Sequence, residues 1–165
     1  IIILGYSYTK RFTALCHLIL GLGLALAPIG SYLAVSGKFA VIPILFSVVV
    51  LFWVSGFDII YSLQDEEFDK TQKLHSIPVL LGKKNALDLA KLLHFLTFAT
   101  LSIAGSLGDF GLYYWLGFWI FSGLLIYQHT LVRHNDLSKV NLAFFTANGI
   151  ASVIFGTCVT FDLYL

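Results

Sequence analysis

The sequence predicts an all-α, polytopic transmembrane helical bundle. Only 12% of its 165 residues are charged and 58% are hydrophobic, whereas a soluble domain is about 25% charged. Five long runs lack Asp, Glu, Lys and Arg, and each is close to the roughly 20 residues that a helix needs to cross a bilayer. Because five such runs leave no polar helix faces for water, a soluble helical core is disfavoured.

The charge-free runs give the elements in chain order. The opening stretch IIILGYSYT is too short to span a membrane, and we interpret it as the tail of a helix whose beginning is missing. Five spans are predicted after it: Phe12–Gly37, Phe39–Phe57, Leu92–Gly108, Phe110–Val132 and Val140–Phe161. We expect the third to begin earlier, with Asn85 capping a helix that starts at Ala86. Because the chain starts with Ile and contains no Met, we expect residues 1–165 to form a single membrane domain that is incomplete at its N-terminus.

The basic residues predict the orientation of the bundle. If successive loops alternate between the two sides of the membrane, nine of the ten Lys and Arg residues fall on one side and Lys38 on the other. The positive-inside rule makes the first side cytoplasmic. The long loop 61–85 is therefore predicted to be cytoplasmic, in what we expect to be a bacterial inner membrane. Topology accounts for the basic residues, so that a net charge of +1 gives no reason to expect a nucleic-acid partner.

An acidic stretch, FDIIYSLQDEEFD, ends the second span. A helix over residues 55–72 would place five side chains on a strip about 80° wide: Asp58, Tyr61, Asp65, Asp69 and Gln72. Glu66 and Glu67 would point elsewhere, and we expect both in solvent. Further along the loop, Pro78 and Gly82 predict two breaks before the next span.

The spacing of the aspartates suggests a metal site. Asp65 and Asp69 are one turn apart, so that their carboxylates can converge on a hard cation such as Mg²⁺, which prefers oxygen ligands and often bridges to phosphates. Asp58 lies about 10 Å away along the axis, and a carboxylate at the membrane boundary needs a partner. On spacing alone, a solvated helix end with scattered i,i+4 charges is an equal alternative. The five histidines show no metal-ligand spacing: His17, His75, His94, His129 and His134.

At these residues the chain resembles the UbiA superfamily of intramembrane aromatic prenyltransferases, most closely its 4-hydroxybenzoate polyprenyltransferase-like branch. The strings that carry the resemblance are FDIIYSLQDEEFD and HSIPVLLGKKNAL. Asp65-x-x-x-Asp69 resembles the second of the family's two Asp-rich motifs. In YSYTKR, Tyr6 and Lys10 fit the family's Y-x-x-x-K motif, and Arg11 follows as it does in this branch.

The resemblance covers the whole chain and implies the back part of a nine-helix fold. The family's first Asp-rich motif, N/D-x-x-D, is absent from the sequence, and so are the early helices that precede and carry it. The chain is therefore expected to hold half of a metal site and to be inactive alone.

The resemblance also implies the chemistry, which is Mg²⁺-dependent transfer of a polyprenyl group from polyprenyl diphosphate to an aromatic acid in the lipid bilayer. Asp65 and Asp69 would bind the metal, and Asp58 and Tyr61 would complete the catalytic set. Five residues would bind the diphosphate: Tyr6, Lys10, Arg11, Lys70 and Lys73. The acceptor is open between 4-hydroxybenzoate, on a ubiquinone route, and a related acid on a menaquinone route. The prenyl chain length is open as well.

Three other functions fit the sequence less well. A CDP-alcohol phosphotransferase needs Gly after its first Asp and an Arg before its last pair, but Ile59 follows Asp58 and no Arg lies between Asp58 and Asp69. An ion-coupled transporter predicts acidic residues near the bilayer midplane, whereas the predicted span interiors carry no charge. A non-catalytic membrane subunit is the third alternative, and the missing Met and partial first helix favour truncation over it.

Overall fold

A computed structural model describes residue 5 and residues 8–165, and every regular element in this part of the chain is helical. Six α-helices lie wholly within the described residues: α1 (Cys16–Ser36), α2 (Val41–Ser62), α3 (Glu66–Thr71), α4 (Ile77–Leu107), α5 (Leu112–Leu131) and α6 (Asn148–Tyr164). A 3-10 turn, Leu63–Asp65, joins α2 to α3, and a π-helical segment, Leu142–Ala147, leads into α6. The predicted all-α class is confirmed.

Helix length and composition support a multi-pass membrane protein. Four stretches are long and apolar enough to cross a bilayer: Cys16–Ser36, Val41–Thr71, Ile77–Leu107 and Leu142–Tyr164. The remaining predicted span coincides with α5, whose 20 residues include no Asp, Glu, Lys or Arg. It is not among those four because its Tyr, Trp, Gln and His side chains reduce its hydropathy.

The sequence predicts one continuous α-helix over residues 55–72, but the structure shows a break in it. The 3-10 turn Leu63–Asp65 separates α2 from α3. A 3-10 turn has about 3.0 residues rather than 3.6, so that the side chains after it are rotated relative to the predicted strip. This rotation accounts for the difference at Glu66, whose side chain is buried although solvent exposure was expected.

Helix α4 begins earlier than predicted. It starts at Ile77, with Pro78 at its N-terminal end, where a missing N–H costs no helical hydrogen bond. The predicted break at Gly82 is confirmed, since its φ of 76° and ψ of 160° are not helical. Asn85 does not cap a helix at Ala86; its side-chain amide donates to the Leu81 carbonyl at 3.0 Å instead.

Helix α2 is central to the packing, because it runs along both α1 and α4. Gly56 permits the close approach of α4, since a Cβ atom there would collide with the His94 ring. One buried apolar cluster lies at the acidic end of α2 and includes Leu63, Ile77 and Val140. This cluster joins α2, α4 and the chain before α6, and it therefore fixes the end of the bundle that carries the aspartates.

Gly82→Ala is expected to destabilise the protein, because the backbone conformation at Gly82 is accessible almost solely to glycine. The expected cost is about 1–3 kcal/mol, seen as a lower midpoint of thermal unfolding in detergent by circular dichroism. Gly123→Ala is the matched control, since an added Cβ there meets no atom within 4 Å. Equal midpoints for the two variants would contradict the assignment of a glycine-specific break.

Candidate active site

A cavity of about 180 Å³ lies at the acidic end of α2. Its wall contains three of the predicted acidic-strip residues and one predicted diphosphate ligand, namely Asp58, Tyr61, Asp65 and Lys10. Cys16, His17 and Ser62 complete the lining. The fold thus brings the segment before α1 against the aspartates, as the hypothesis of a shared site requires.

Asp69 is bound to Lys10 rather than open to the cavity. The Lys10 ammonium donates to both carboxylate oxygens, at 2.9 and 3.1 Å, and the Asp69 side chain is only 1% exposed. The His75 N–H also donates to the Lys10 carbonyl at 2.6 Å, which holds this segment against the α3–α4 connection. The predicted metal ligand and the predicted phosphate ligand therefore neutralise each other in this structure.

Asp58 is paired with His17, a residue that the sequence analysis did not place in the site. The His17 Nδ1 atom lies 2.7 Å from an Asp58 carboxylate oxygen, and the His17 side chain is 2% exposed. The Ser55 hydroxyl donates to the His17 carbonyl at 3.2 Å, which ties α1 to α2 at the same level. A signal was present, since a carboxylate at the membrane boundary needed a partner and His17 starts the neighbouring helix.

Tyr61 lines the cavity and is the first of four aromatic rings in contact with one another. Its ring centroid is 4.2 Å from that of Phe144, and Phe144 in turn contacts Phe57 at 5.4 Å. Phe57 meets Trp53 at 5.5 Å. These four rings form a continuous aromatic surface, which we call the aromatic wall, along α2 and the π-helical segment.

Glu66 and Lys70 form an ion pair one helical turn apart. The Lys70 ammonium lies 2.7 Å from Glu66 and 3.7 Å from Glu67, and Lys83 approaches Glu66 at 3.6 Å. Glu66 is buried and bound, so that the expectation of a solvated side chain was wrong for it. Glu67 is exposed, with 80% of its side chain accessible, as expected.

Three of the other predicted diphosphate ligands, Arg11, Lys70 and Lys73, are not part of the cavity wall. Arg11 and Lys73 line a shallow surface groove with Phe68, and the Arg11 guanidinium lies over the Tyr8 ring at 5.6 Å. Tyr6 lies outside the described residues. The structure therefore places one of the five predicted ligands, Lys10, at the cavity.

The carboxylates of the site do not form a complete metal-binding cluster. Within residue 5 and residues 8–165, no group of three or more His, Cys, Asp and Glu side chains is arranged to hold a metal ion. Asp65 is half-buried at the cavity, and among the described residues it has no ion-pair partner. The donor set fits a hard cation in its chemistry, because carboxylate oxygens suit Mg²⁺, but Asp69 would first have to leave Lys10.

Comparison with known proteins assigns the family. The model of the UbiA prenyltransferase family matches residues 1–150. The chain belongs to the UbiA prenyltransferase family. A solved structure described as the apo structure of a UbiA homologue from Aeropyrum pernix superposes with a TM-score of 0.85 at 28% identity, over 98% of this chain and 60% of that one.

The curated relatives carry a more specific name. This chain is 31% identical over 150 residues to a 4-hydroxybenzoate octaprenyltransferase of Tolumonas auensis, and the aligned region covers 91% of this chain and 52% of that protein. A protein of the same name from Nitrosomonas europaea is 30% identical over 153 residues, with coverage of 92% and 51%. The chain thus spans about half the length of the curated relatives it matches.

Lys10→Met is expected to destabilise the protein by about 3–5 kcal/mol, because it leaves the buried Asp69 carboxylate unpaired. Adding Asp69→Asn should recover part of this loss, since a neutral amide is less costly to bury than a lone carboxylate. The free energies of unfolding of the parent protein, the two single variants and the double variant give the interaction energy between Lys10 and Asp69.

Lys91→Met is the control for this cycle. It breaks an ion pair with Asp88 at 2.8 Å in which both side chains are more than half exposed, so that little change is expected. Additive effects of the Lys10 and Asp69 substitutions would contradict the buried pair.

Proposed function

We propose that this chain is part of a membrane-embedded prenyltransferase that transfers a polyprenyl group from polyprenyl diphosphate to an aromatic acid of the 4-hydroxybenzoate class. The observation that carries the proposal is Asp65, a carboxylate at a cavity that Lys10 also lines. A divalent cation and a diphosphate need this combination of anionic and cationic groups. Membership of the UbiA family and the names of the curated relatives support the choice of substrates.

The ion pair between Lys10 and Asp69 suggests how substrate binding begins. A diphosphate carries more negative charge than one carboxylate, and its oxygens accept charge-assisted hydrogen bonds from an ammonium group. We therefore propose that Lys10 moves from Asp69 to the diphosphate, and that Asp69 becomes free to join Asp65. Mg²⁺ held by Asp65 and Asp69 would neutralise the leaving diphosphate.

The proposed roles of the other basic residues follow from the contacts that they make in this structure. Arg11 and Lys73 lie in a groove next to the segment of Lys10, and with Tyr6 they would extend the binding of the diphosphate. Lys70 already has two glutamate partners. We propose that Lys70 keeps the site electropositive, because direct contact with the diphosphate would require Lys70 to break its ion pair with Glu66.

The transfer step breaks the bond between the first prenyl carbon and a diphosphate oxygen, whose electron pair leaves with the diphosphate. An electron pair of the aromatic acceptor forms the new carbon–carbon bond, and an oxygen of the released diphosphate then takes the displaced ring proton. Tyr61 faces the site with the aromatic wall behind it. An aromatic face stabilises a nearby cation, and the apolar side chains would exclude water from the allylic cation. Asp58, held by His17, would position the acceptor.

The proposed location follows from the charge distribution. The acidic end of the bundle carries most of the basic residues, and the positive-inside rule places that end in the cytoplasm. We propose a bacterial inner membrane, and 4-hydroxybenzoate on a route to ubiquinone as the acceptor, because the curated relatives are named for that acid.

Asp65→Asn and Asp69→Asn are each expected to reduce Mg²⁺-dependent diphosphate release by about 100-fold or more, since a metal that stabilises a leaving group contributes several kcal/mol. The assay uses the protein expressed from its complete coding sequence, in nanodiscs, with a prenyl diphosphate and 4-hydroxybenzoate. Glu67→Gln is the matched control, because Glu67 lies on the same helix as Asp69 and is 80% exposed. Near-normal turnover of either aspartate variant would remove its proposed metal role.

His17→Leu is expected to raise the KM for the aromatic acid about tenfold or more, because it removes the hydrogen bond that holds Asp58. His17→Asn can still donate to Asp58, because its amide nitrogen takes the place of Nδ1, and it should stay within a few-fold of the parent protein. The KM for the prenyl diphosphate should change little in both variants. If the two variants lost activity equally, with kcat alone affected, His17 would not position Asp58 for the acceptor.

A further inference from the structure

A second cavity lies away from the acidic site, between α4 and α5, which touch each other at few positions. This α4–α5 cleft has a volume of about 470 Å³, and its wall is mainly apolar, with Phe95, Phe98, Leu125 and Ile126 as large side chains. Phe95 is 63% exposed and Ile126 is 69% exposed. Among the described residues, the cleft therefore opens on the outer surface of two long apolar helices.

The α4–α5 cleft continues into a groove lined by basic residues, which we call the basic groove. It lies at the same end of the bundle as the aspartates of α2 and α3. The basic groove has a volume of about 670 Å³ and shares Lys91, His129 and Thr130 with the cleft. Three further cations line it: Lys84, Arg133 and Lys139. In the part of the chain that the structure describes, none of these three has a carboxylate oxygen within 4.0 Å.

The carboxylates of the basic groove are already engaged. Asp88 accepts from Lys91 at 2.8 Å, and Asp136 accepts from the Ser138 hydroxyl at 2.6 Å and from the Ser138 N–H at 3.0 Å. Four cations face two carboxylates there, so that the groove has an excess of positive charge next to an apolar cleft. An amphiphile with an anionic headgroup complements both parts.

Polar atoms inside the cleft add a second observation. The Ser122 hydroxyl and His129 Nδ1 are inaccessible to solvent and have no hydrogen-bond partner among the described residues. The other ring nitrogen of His129 lies 2.8 Å from His94 Nδ1, which also lies 2.9 Å from the Gln128 amide nitrogen. Because an unpaired buried polar group costs free energy, a side-chain rotation that brings either group to an ester oxygen in the cleft would be favourable.

We propose that the α4–α5 cleft and the basic groove together bind one anionic glycerophospholipid. Its phosphate lies among Lys84, Arg133 and Lys139, its ester region lies near His129, and one acyl chain fills the apolar cleft. Basic pockets between helices at a membrane surface recognise anionic lipids in this way. The proposal does not depend on the proposed enzymatic function.

Native mass spectrometry of the delipidated protein, expressed from its complete coding sequence, tests the charge recognition. Phosphatidylglycerol and phosphatidylcholine with identical acyl chains are titrated separately, and tighter binding of one phosphatidylglycerol is expected. Arg133→Gln should weaken that binding about fivefold, because one basic residue near an anionic membrane surface contributes about 1 kcal/mol. Lys38→Gln, at the opposite end of the bundle, should leave it unchanged. Equal affinities for the two lipids, or equal losses in the two variants, would overturn the proposal.

A cleft-filling substitution tests the acyl-chain site. Ile126→Trp should reduce binding of phosphatidylglycerol, whereas Val153→Trp, which is also 69% exposed but lies on α6 outside the cleft, should not. Unchanged thermal unfolding midpoints confirm that both variants are folded. Displacement of phosphatidylglycerol by farnesyl diphosphate would identify a prenyl diphosphate site instead, and loss of a dimer in Ile126→Trp would identify an interface between two copies. Either result would overturn the lipid assignment.

Discussion

The site depends on the neutralisation of carboxylates that stand at the end of an apolar helix. Water solvates a carboxylate far better than hydrocarbon does, so that each carboxylate near the membrane boundary needs a cation or hydrogen-bond donors. Asp58 has His17, Asp69 has Lys10, and Glu66 has Lys70 and Lys83. The partners come from the segment before α1, from α1, and from α3 and α4. Charge pairing therefore holds these segments together around the acidic end of α2.

This pairing separates structural carboxylates from the one available to a ligand. Within the described part of the chain, Asp65 is the aspartate of the strip without an ion-pair partner, and it lies at the cavity with Lys10. Asp69 is paired, but its partner is an ammonium on a flexible stem, which can exchange a carboxylate for a phosphate. The histidine partner of Asp58 is itself buried, so that Asp58 is held more rigidly. The three aspartates thus share one helix end but differ in what they can bind.

The sequence predicted the helices well, because a bilayer demands long apolar runs and five such runs are visible without any tertiary information. The break at Gly82 was also predictable, since a glycine after Pro78 indicates a non-helical conformation. The burial of Glu66 was not, because it depends on the 3-10 turn Leu63–Asp65, for which the sequence carries no clear signal. The partnership of His17 with Asp58 was missed because it joins two helices, and spacing along one helix cannot show it.

A structure of the complete protein with Mg²⁺ and a non-reactive prenyl thiodiphosphate would show whether the pair between Lys10 and Asp69 holds the site until substrate binds. We predict that Lys10 contacts the diphosphate and that Asp65 and Asp69 both contact the metal ion. A structure in which the Lys10–Asp69 pair is intact while the metal and diphosphate are bound elsewhere would contradict it.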